Sequence, residues 1–145
     1  MPQLENSKYY VFYADDDSDD IEFVRDSFKK YSPKINFTPF NNGLDLLNYL
    51  KNQPQALLPC LIMLDINMPF MDGKETLIEI RKIPSFNIIP VILFSTSTQP
   101  VDRLYAAKNH AGFITKPLNN EQMDNIVDQL IQHCTDEVQK GISRT

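Results

Sequence analysis

The chain has 145 residues with an apolar fraction of 42 %, long enough to bury one core and too apolar for a disordered segment. Its formal net charge of -5 excludes the clustered basic surface that a phosphate backbone requires, so nucleic acid is not an expected partner. No stretch approaches the roughly 18 apolar residues that span a bilayer, and residues 1–7 lack the cationic-then-apolar order of a signal peptide. These features predict one cytoplasmic domain over residues 1–145 that makes no membrane contact, with a core from about 8 to 135 and a polar tail over 136–145 that frays.

In chain order, short apolar runs alternate with segments of helical period. Residues 9–14 (YYVFYA) read as a buried strand that runs into a row of aspartates. Ile21, Val24, Phe28 and Tyr31 then mark one face of a helix. Residues 35–40 read as a second strand between Pro33, which ends the helix, and the turn Asn41-Asn42-Gly43. Leu44, Leu47 and Leu50 predict a second helix, and residues 60–64 a third strand ending at Asp65. Leu77, Ile80 and Ile83 mark a third helix that stops before Pro84. Residues 88–94 read as a fourth strand with Pro90 near its start, ending at Ser95-Thr96-Ser97-Thr98. Val101, Leu104 and Tyr105 suggest a fourth helix, and residues 112–115 a short fifth strand. Met123, Ile126, Val127, Leu130, Ile131 and Cys134 form the clearest helical stripe. Cys60 and Cys134 are too few for a disulfide framework and lack metal-ligand spacing, so both read as small buried residues in a reducing compartment.

Five strands alternating with five helices imply an α/β fold, a doubly wound parallel sheet covered on both faces. Right-handed crossovers bring the carboxyl ends of all strands to one edge, where such sheets bind their ligands. Four strands end there in residues with chemical potential: Asp15-Asp16-Asp17, Asp65, Ser95 and Lys116. Asp15, Asp16 and Asp65 at one edge repel one another, which either raises a pKa or draws in a hard cation, and Mg²⁺ suits an all-oxygen site. The backbone carbonyl of Asn67 is placed to complete that metal shell. Asp17 or Ser18 reads as a helix N-cap, with Asp19 and Asp20 favourable in the first turn. Asp15-x-Asp17-x-Asp19 mimics a calcium loop, yet Asp20 replaces its glycine and Asp26 its final glutamate. Asp65 is a weak nucleophile that accepts a phosphoryl group once cations neutralise the incoming oxygens. Lys116 supplies such a charge, and Ser95 supplies a hydroxyl donor. A cis bond at Lys116-Pro117 is expected to turn the lysine back toward the site.

This ordered set resembles the receiver domains of two-component response regulators, including chemotaxis-type and phytochrome-type single-domain members, over nearly the whole chain. The strand-end acidic pair is matched by Asp15 and Asp16, and the phospho-acceptor stretch by Asp65, Asn67, Met68, Pro69, Asp72 and Gly73. The hydroxyl residue is matched by Ser95, the Lys-Pro pair by Lys116 and Pro117, and the aromatic switch residue by Phe113. The resemblance implies a flavodoxin-like (βα)5 fold with strand order 2-1-3-4-5. It also implies Mg²⁺-dependent transfer to Asp65 from a histidine kinase or phosphotransfer protein. Phosphorylation would then draw Ser95 inward, let Phe113 rotate, and alter a protein-binding face on the fourth helix, fifth strand and fifth helix. That face self-associates in relatives, which adds a homodimer to the implied partners without direct support in this sequence. Thr96 departs from the commoner Ala or Gly, and Phe113 lacks the hydroxyl of the Tyr found in many relatives.

About ten residues follow the last helical stripe, too few for a DNA-binding module, so the chain reads as a stand-alone phosphorelay regulator whose output passes through a downstream protein and not through an enzyme domain. Three other readings compete. A haloacid-dehalogenase-like aspartyl-phosphate phosphatase needs a second acid where Asn67 sits. A flavodoxin-like cofactor module would meet repulsion from Asp15-Asp16-Asp17. A receiver-like scaffold that is never phosphorylated keeps the same residues without the chemistry.

Overall fold

The computed structural model of the chain describes residues 9–143. Five parallel strands, β1 (Tyr9–Ala14), β2 (Ile35–Phe40), β3 (Leu61–Leu64), β4 (Val91–Ser95) and β5 (Gly112–Thr115), form one sheet in the order β2-β1-β3-β4-β5. Six helices accompany them: α1 (Ser18–Tyr31), α2 (Gly43–Lys51), α3 (Gly73–Arg81), α4 (Pro100–Lys108), α5 (Asn120–Ile131) and α6 (Asp136–Ser143). The expected doubly wound, flavodoxin-like (βα)5 sheet is therefore the architecture found.

The central strands are apolar throughout because both faces are covered. Successive side chains alternate between two cores. Val11, Tyr13, Leu61, Met63, Ile92 and Phe94 face α1 and α5. Phe12, Ala14, Ile62, Leu64, Val91 and Leu93 face α2, α3 and α4. Arg81 closes the end of α3 by donating to the carbonyls of Phe86, Ile89, Asn109 and His110, which fastens the entry to β4 against the exit from α4.

Several boundaries differ from the sequence reading. β3 begins at Leu61 and not Cys60, which is half-buried while Cys134 is buried. β4 begins at Val91, because a 3-10 turn at Pro84–Phe86 consumes the preceding segment and leaves Ile88 82 % exposed. α3 ends at Arg81, so Ile83 leads that turn instead of ending the helix. In α2 the buried set is Leu46, Leu47 and Leu50, with Leu44 turned outward. In α4 Val101 and Leu104 lie on the surface, and Ala106 is the buried residue.

The largest correction concerns the tail. Residues 136–143, expected to fray, form α6, with Ile142 buried in the α1/α5 core and Val138 packed against it. Val138 and Ile142 are four apart and share a helix face. A Cβ at Gly141 would stand 1.8 Å from the Tyr9 hydroxyl, so a larger residue there would have to displace the Tyr9 ring from α6. Ile142→Ala is expected to lower stability by about 2 kcal/mol in urea unfolding, since it removes a buried side chain. An unchanged midpoint would mean that α6 adds nothing to the core.

Candidate functional site

The site forms where β1, β3, β4 and β5 end. β1 delivers Asp15, which is fully buried and accepts from the Asp17 amide at 2.9 Å. The next residue, Asp16, is exposed, and Asp17 caps α1 by accepting from the Asp19 and Asp20 amides. β3 delivers Asp65, 9 % exposed, whose Oδ1 accepts from the Ile66 amide at 2.9 Å. Carboxylate oxygens of Asp15, Asp16 and Asp65 all lie within 4.8 Å of one another. Gly73, at the start of α3, locks the turn after Asp65: its amide donates to the Ile66 carbonyl at 2.8 Å, and a Cβ would collide with the Asp65 carbonyl at 2.1 Å. Asp72 caps the same helix in a reciprocal box with Glu75, a pattern visible in the sequence as D-x-x-E.

β5 delivers Lys116. Its amide donates to the Ser95 carbonyl at 2.8 Å, and its ammonium reaches Asp15 at 2.7 Å, Asp20 at 2.8 Å and Asp65 at 3.6 Å. The expected cis bond at Lys116-Pro117 is not present: that peptide is trans. A sharp turn is unnecessary, because the strand end and the length of the side chain already carry the ammonium to the carboxylates.

The electrostatics follow from this crowding. Burial, reinforced by Asp15 and Asp16, pushes the Asp65 carboxyl up to about 7 against the opposing pull of Lys116. Burial alone would lower Lys116, but hydrogen bonds to Asp15 and Asp20 outweigh it and hold the ammonium strongly protonated. Burial and the neighbouring Asp15 carboxylate raise the Tyr13 phenol, which donates its proton to Asp15 Oδ2. The donors are all oxygen and negative charge is in excess, which suits a hard divalent cation with oxygen ligands. Asp15, Asp16 and Asp65 are the residues that would hold it.

Ser95 is buried, and its hydroxyl oxygen accepts from the Ser97 amide at 3.2 Å. It shares a cleft of about 480 Å³ with Ile66, Asn67, Thr96 and Lys74, and the Asn67 residue is exposed. The loop from β4 to α4 is tied down at its far side. Ser97 donates to Asp102, and Lys74 of α3 pairs with the same carboxylate at 2.6 Å. These two bonds hold the Asp102 carboxyl below its usual range. Phe113 is half-buried against the α2/α3/α4 core with the Arg103 guanidinium 4.7 Å from its ring centroid.

The structure thus brings together Asp15, Asp16, Asp65 and Lys116, with Ser95 on the adjoining strand end. Phe113 lies outside this cluster, two residues before Thr115. The sequence reading placed Asp20 only as a helix-dipole residue, yet its carboxylate is a partner of Lys116. One turn of α1 separates it from the strand end, which was the available signal. Tyr13 was missed because a strand phenol reads as core.

Comparisons with known proteins agree with this geometry. A family model described as the response regulator receiver domain matches residues 11–128. The chain is 27 % identical over 131 residues to the response regulator Rcp1 of Synechocystis sp., covering 88 % of this chain and 89 % of that protein. It is 32 % identical over 140 residues to the sensor histidine kinase CheAY of Helicobacter pylori, covering 91 % of this chain and only 17 % of that protein. Among solved structures, the phosphorylated cyanobacterial phytochrome response regulator RcpA aligns with a TM-score of 0.79 at 27 % identity, covering 90 % of this chain and 96 % of that one. The Mn²⁺-bound form of Rcp1 aligns at 0.76 with 23 % identity, covering 94 % and 96 %, a likeness of fold.

A raised Asp65 carries a stability signature. Between the unfolded value of 3.8 and about 7, the unfolded chain has released this proton while the native chain retains it, so native stability is lost as pH rises through that window. In chelator-treated buffer Asp65→Asn is therefore expected to be more stable than the parent at pH 8, by about 2–4 kcal/mol. The gap should close toward pH 4, as urea unfolding at both pH values would show.

Proposed function

The chain belongs to the response regulator receiver family and serves phosphorelay signalling, and from that premise we propose that Asp65 is its phospho-acceptor in a Mg²⁺-dependent reaction. The donor is a phosphohistidine of a sensor kinase or phosphotransfer protein. The observation that supports Asp65 most directly is its place between an acidic pair within 4.8 Å and an ammonium 3.6 Å away. One carboxylate oxygen attacks phosphorus, a P–O bond forms, and the P–N bond to the donor imidazole breaks. Asp15, Asp16 and Asp65, with the Asn67 carbonyl, would hold Mg²⁺, which would supply neutralisation of phosphoryl charge and favour ionised Asp65.

This chain's own side chains do the rest. Lys116 is already charged and needs only a small excursion to pair with a phosphoryl oxygen on Asp65. Asp15 and Asp20 hold it ready, largely buried but with 11 % of the side-chain surface still exposed. Ser95 leaves the Ser97 amide and donates its hydroxyl to a second phosphoryl oxygen. Thr96 and Ser97 must follow, while Lys74 and Asp102 anchor the outer end of the loop. Phe113, beside β4 through the Leu93–Phe113 pairing, takes up the space that Ser95 vacates.

Output passes through protein contact. Val101 and Leu104 on α4 and Leu118 in the loop before α5 stay exposed, forming the apolar part of a docking face. A downstream protein or a second copy of the chain would bind there. The net charge of -5 fits neither nucleic acid nor an anionic membrane. The domain over residues 1–145 acts as a cytoplasmic phospho-acceptor and not as an enzyme with external turnover.

With acetyl phosphate and Mg²⁺, the protein is expected to gain the mass of one phosphoryl group, and Asp65→Asn to gain none. Lys116→Ala should slow the reaction about a hundred- to a thousandfold, the usual range for one lost charge-stabilising donor. Sustained hydrolysis of phosphate esters would favour the phosphatase reading, and an unmodified parent protein would favour the scaffold.

A further inference from the structure

At the opposite pole of the sheet from Asp65, the chain's two cysteines meet. Cys60 immediately precedes β3, and Cys134 follows α5 by three residues. The Cys134 thiol donates to the Cys60 carbonyl at 3.5 Å, which sets the two cysteines side by side. They come from positions 74 apart and are the only cysteines in the sequence. Both are free thiols.

Their surroundings differ in a useful way. Cys134 is 5 % exposed and packs in the α1/α5 core. Cys60 is half-buried and opens onto a cleft of about 220 Å³ lined by Leu58, Pro59, Ile89, Pro90 and Val138. Gln55, Ser85 and Thr135 add polar groups to a mainly apolar lining that holds no charged side chain, so a small uncharged oxidant enters more readily than an ionic one.

We propose that Cys60 and Cys134 form a peroxide-oxidised dithiol site in which Cys60, facing the cleft, reacts first and Cys134 resolves it to an intramolecular disulfide. Cys60 sulfur attacks one oxygen of a hydroperoxide, the O–O bond breaks, and the alcohol leaves with a proton. Cys60 is then a sulfenic acid. Cys134 sulfur attacks it, the S–O bond breaks, and hydroxide leaves with the Cys134 proton as water. Two thiols lose two electrons in total, and the peroxide gains them. The neighbouring Cys134 lowers the Cys60 thiol, Cys60 and burial raise Cys134, and the cleft is lined by Cys60 and not by Cys134, which fits the order of attack. The cross-link would fasten the end of α5 to the entry of β3, and it neither uses nor requires the phospho-acceptor.

The test exposes freshly reduced protein to cumene hydroperoxide, quenches with N-ethylmaleimide, and reads intact mass and tryptic peptides. The expected product has lost two hydrogens and carries the Cys60 and Cys134 peptides joined. It should form about tenfold or more faster in the folded chain than in guanidinium-unfolded chain, because the fold supplies proximity. Cys134→Ser should accumulate a dimedone-reactive sulfenic acid at Cys60, and Cys60→Ser should stay reduced over the same period. A disulfide that forms no faster in the folded chain, cross-links only between molecules, or gives way to over-oxidised Cys60 in the parent protein would overturn the proposal. The folded-against-unfolded comparison uses the parent sequence, so it decides the matter even where a serine variant fails to fold.

Discussion

The arrangement that everything else serves is one ammonium set among too many carboxylates. Lys116 touches Asp15 and Asp20 and lies 3.6 Å from Asp65, while Asp16 completes the acidic group. A single cation cannot balance that charge in a partly desolvated pocket, so Asp65 resists ionisation. The same imbalance suits a hard dication with oxygen ligands. A site with its charge already balanced would fold more easily and do less chemistry.

The rest of the molecule maintains this unfavourable cluster. Apolar strands with both faces covered fix the ends of β1, β3, β4 and β5 relative to one another. Close contact between Gly73 and the Asp65 carbonyl sets the turn behind Asp65. The Asp17 cap points α1 so that Asp20 returns toward Lys116. By contrast, the loop carrying Ser95 is held through a partly exposed ion pair and one hydroxyl, bonds that a modest charge event can trade. The rigid part of the site holds Asp65, and the part that carries Ser95 is tied down more loosely.

Most of the architecture was legible in the chain because its signals are local. Period-two and period-3.6 apolar patterns, prolines and strand-end aspartates announced five βα units and the edge where chemistry gathers. The errors also have local causes. Ile88 looked like strand because it is apolar, but the turn at Pro84 had already used the chain leading to β4. α6 looked like a polar tail because only Val138 and Ile142 carry its apolar face.

By itself, the sequence determined the chemical inventory and its order: an acidic pair, a single aspartate, a hydroxyl and a lysine, each at the end of its own strand. Those assignments depend on periodicity and neighbouring residues, and both act over a few positions. The tertiary structure alone decided which groups share a proton or a charge. Lys116 and Asp15 are 101 positions apart, and the pairing of Lys116 with Asp20 depends on the phase of α1. The meeting of Cys60 with Cys134 depends on where α5 crosses the sheet. Packing sets these distances to within a bond length, and no local pattern encodes them.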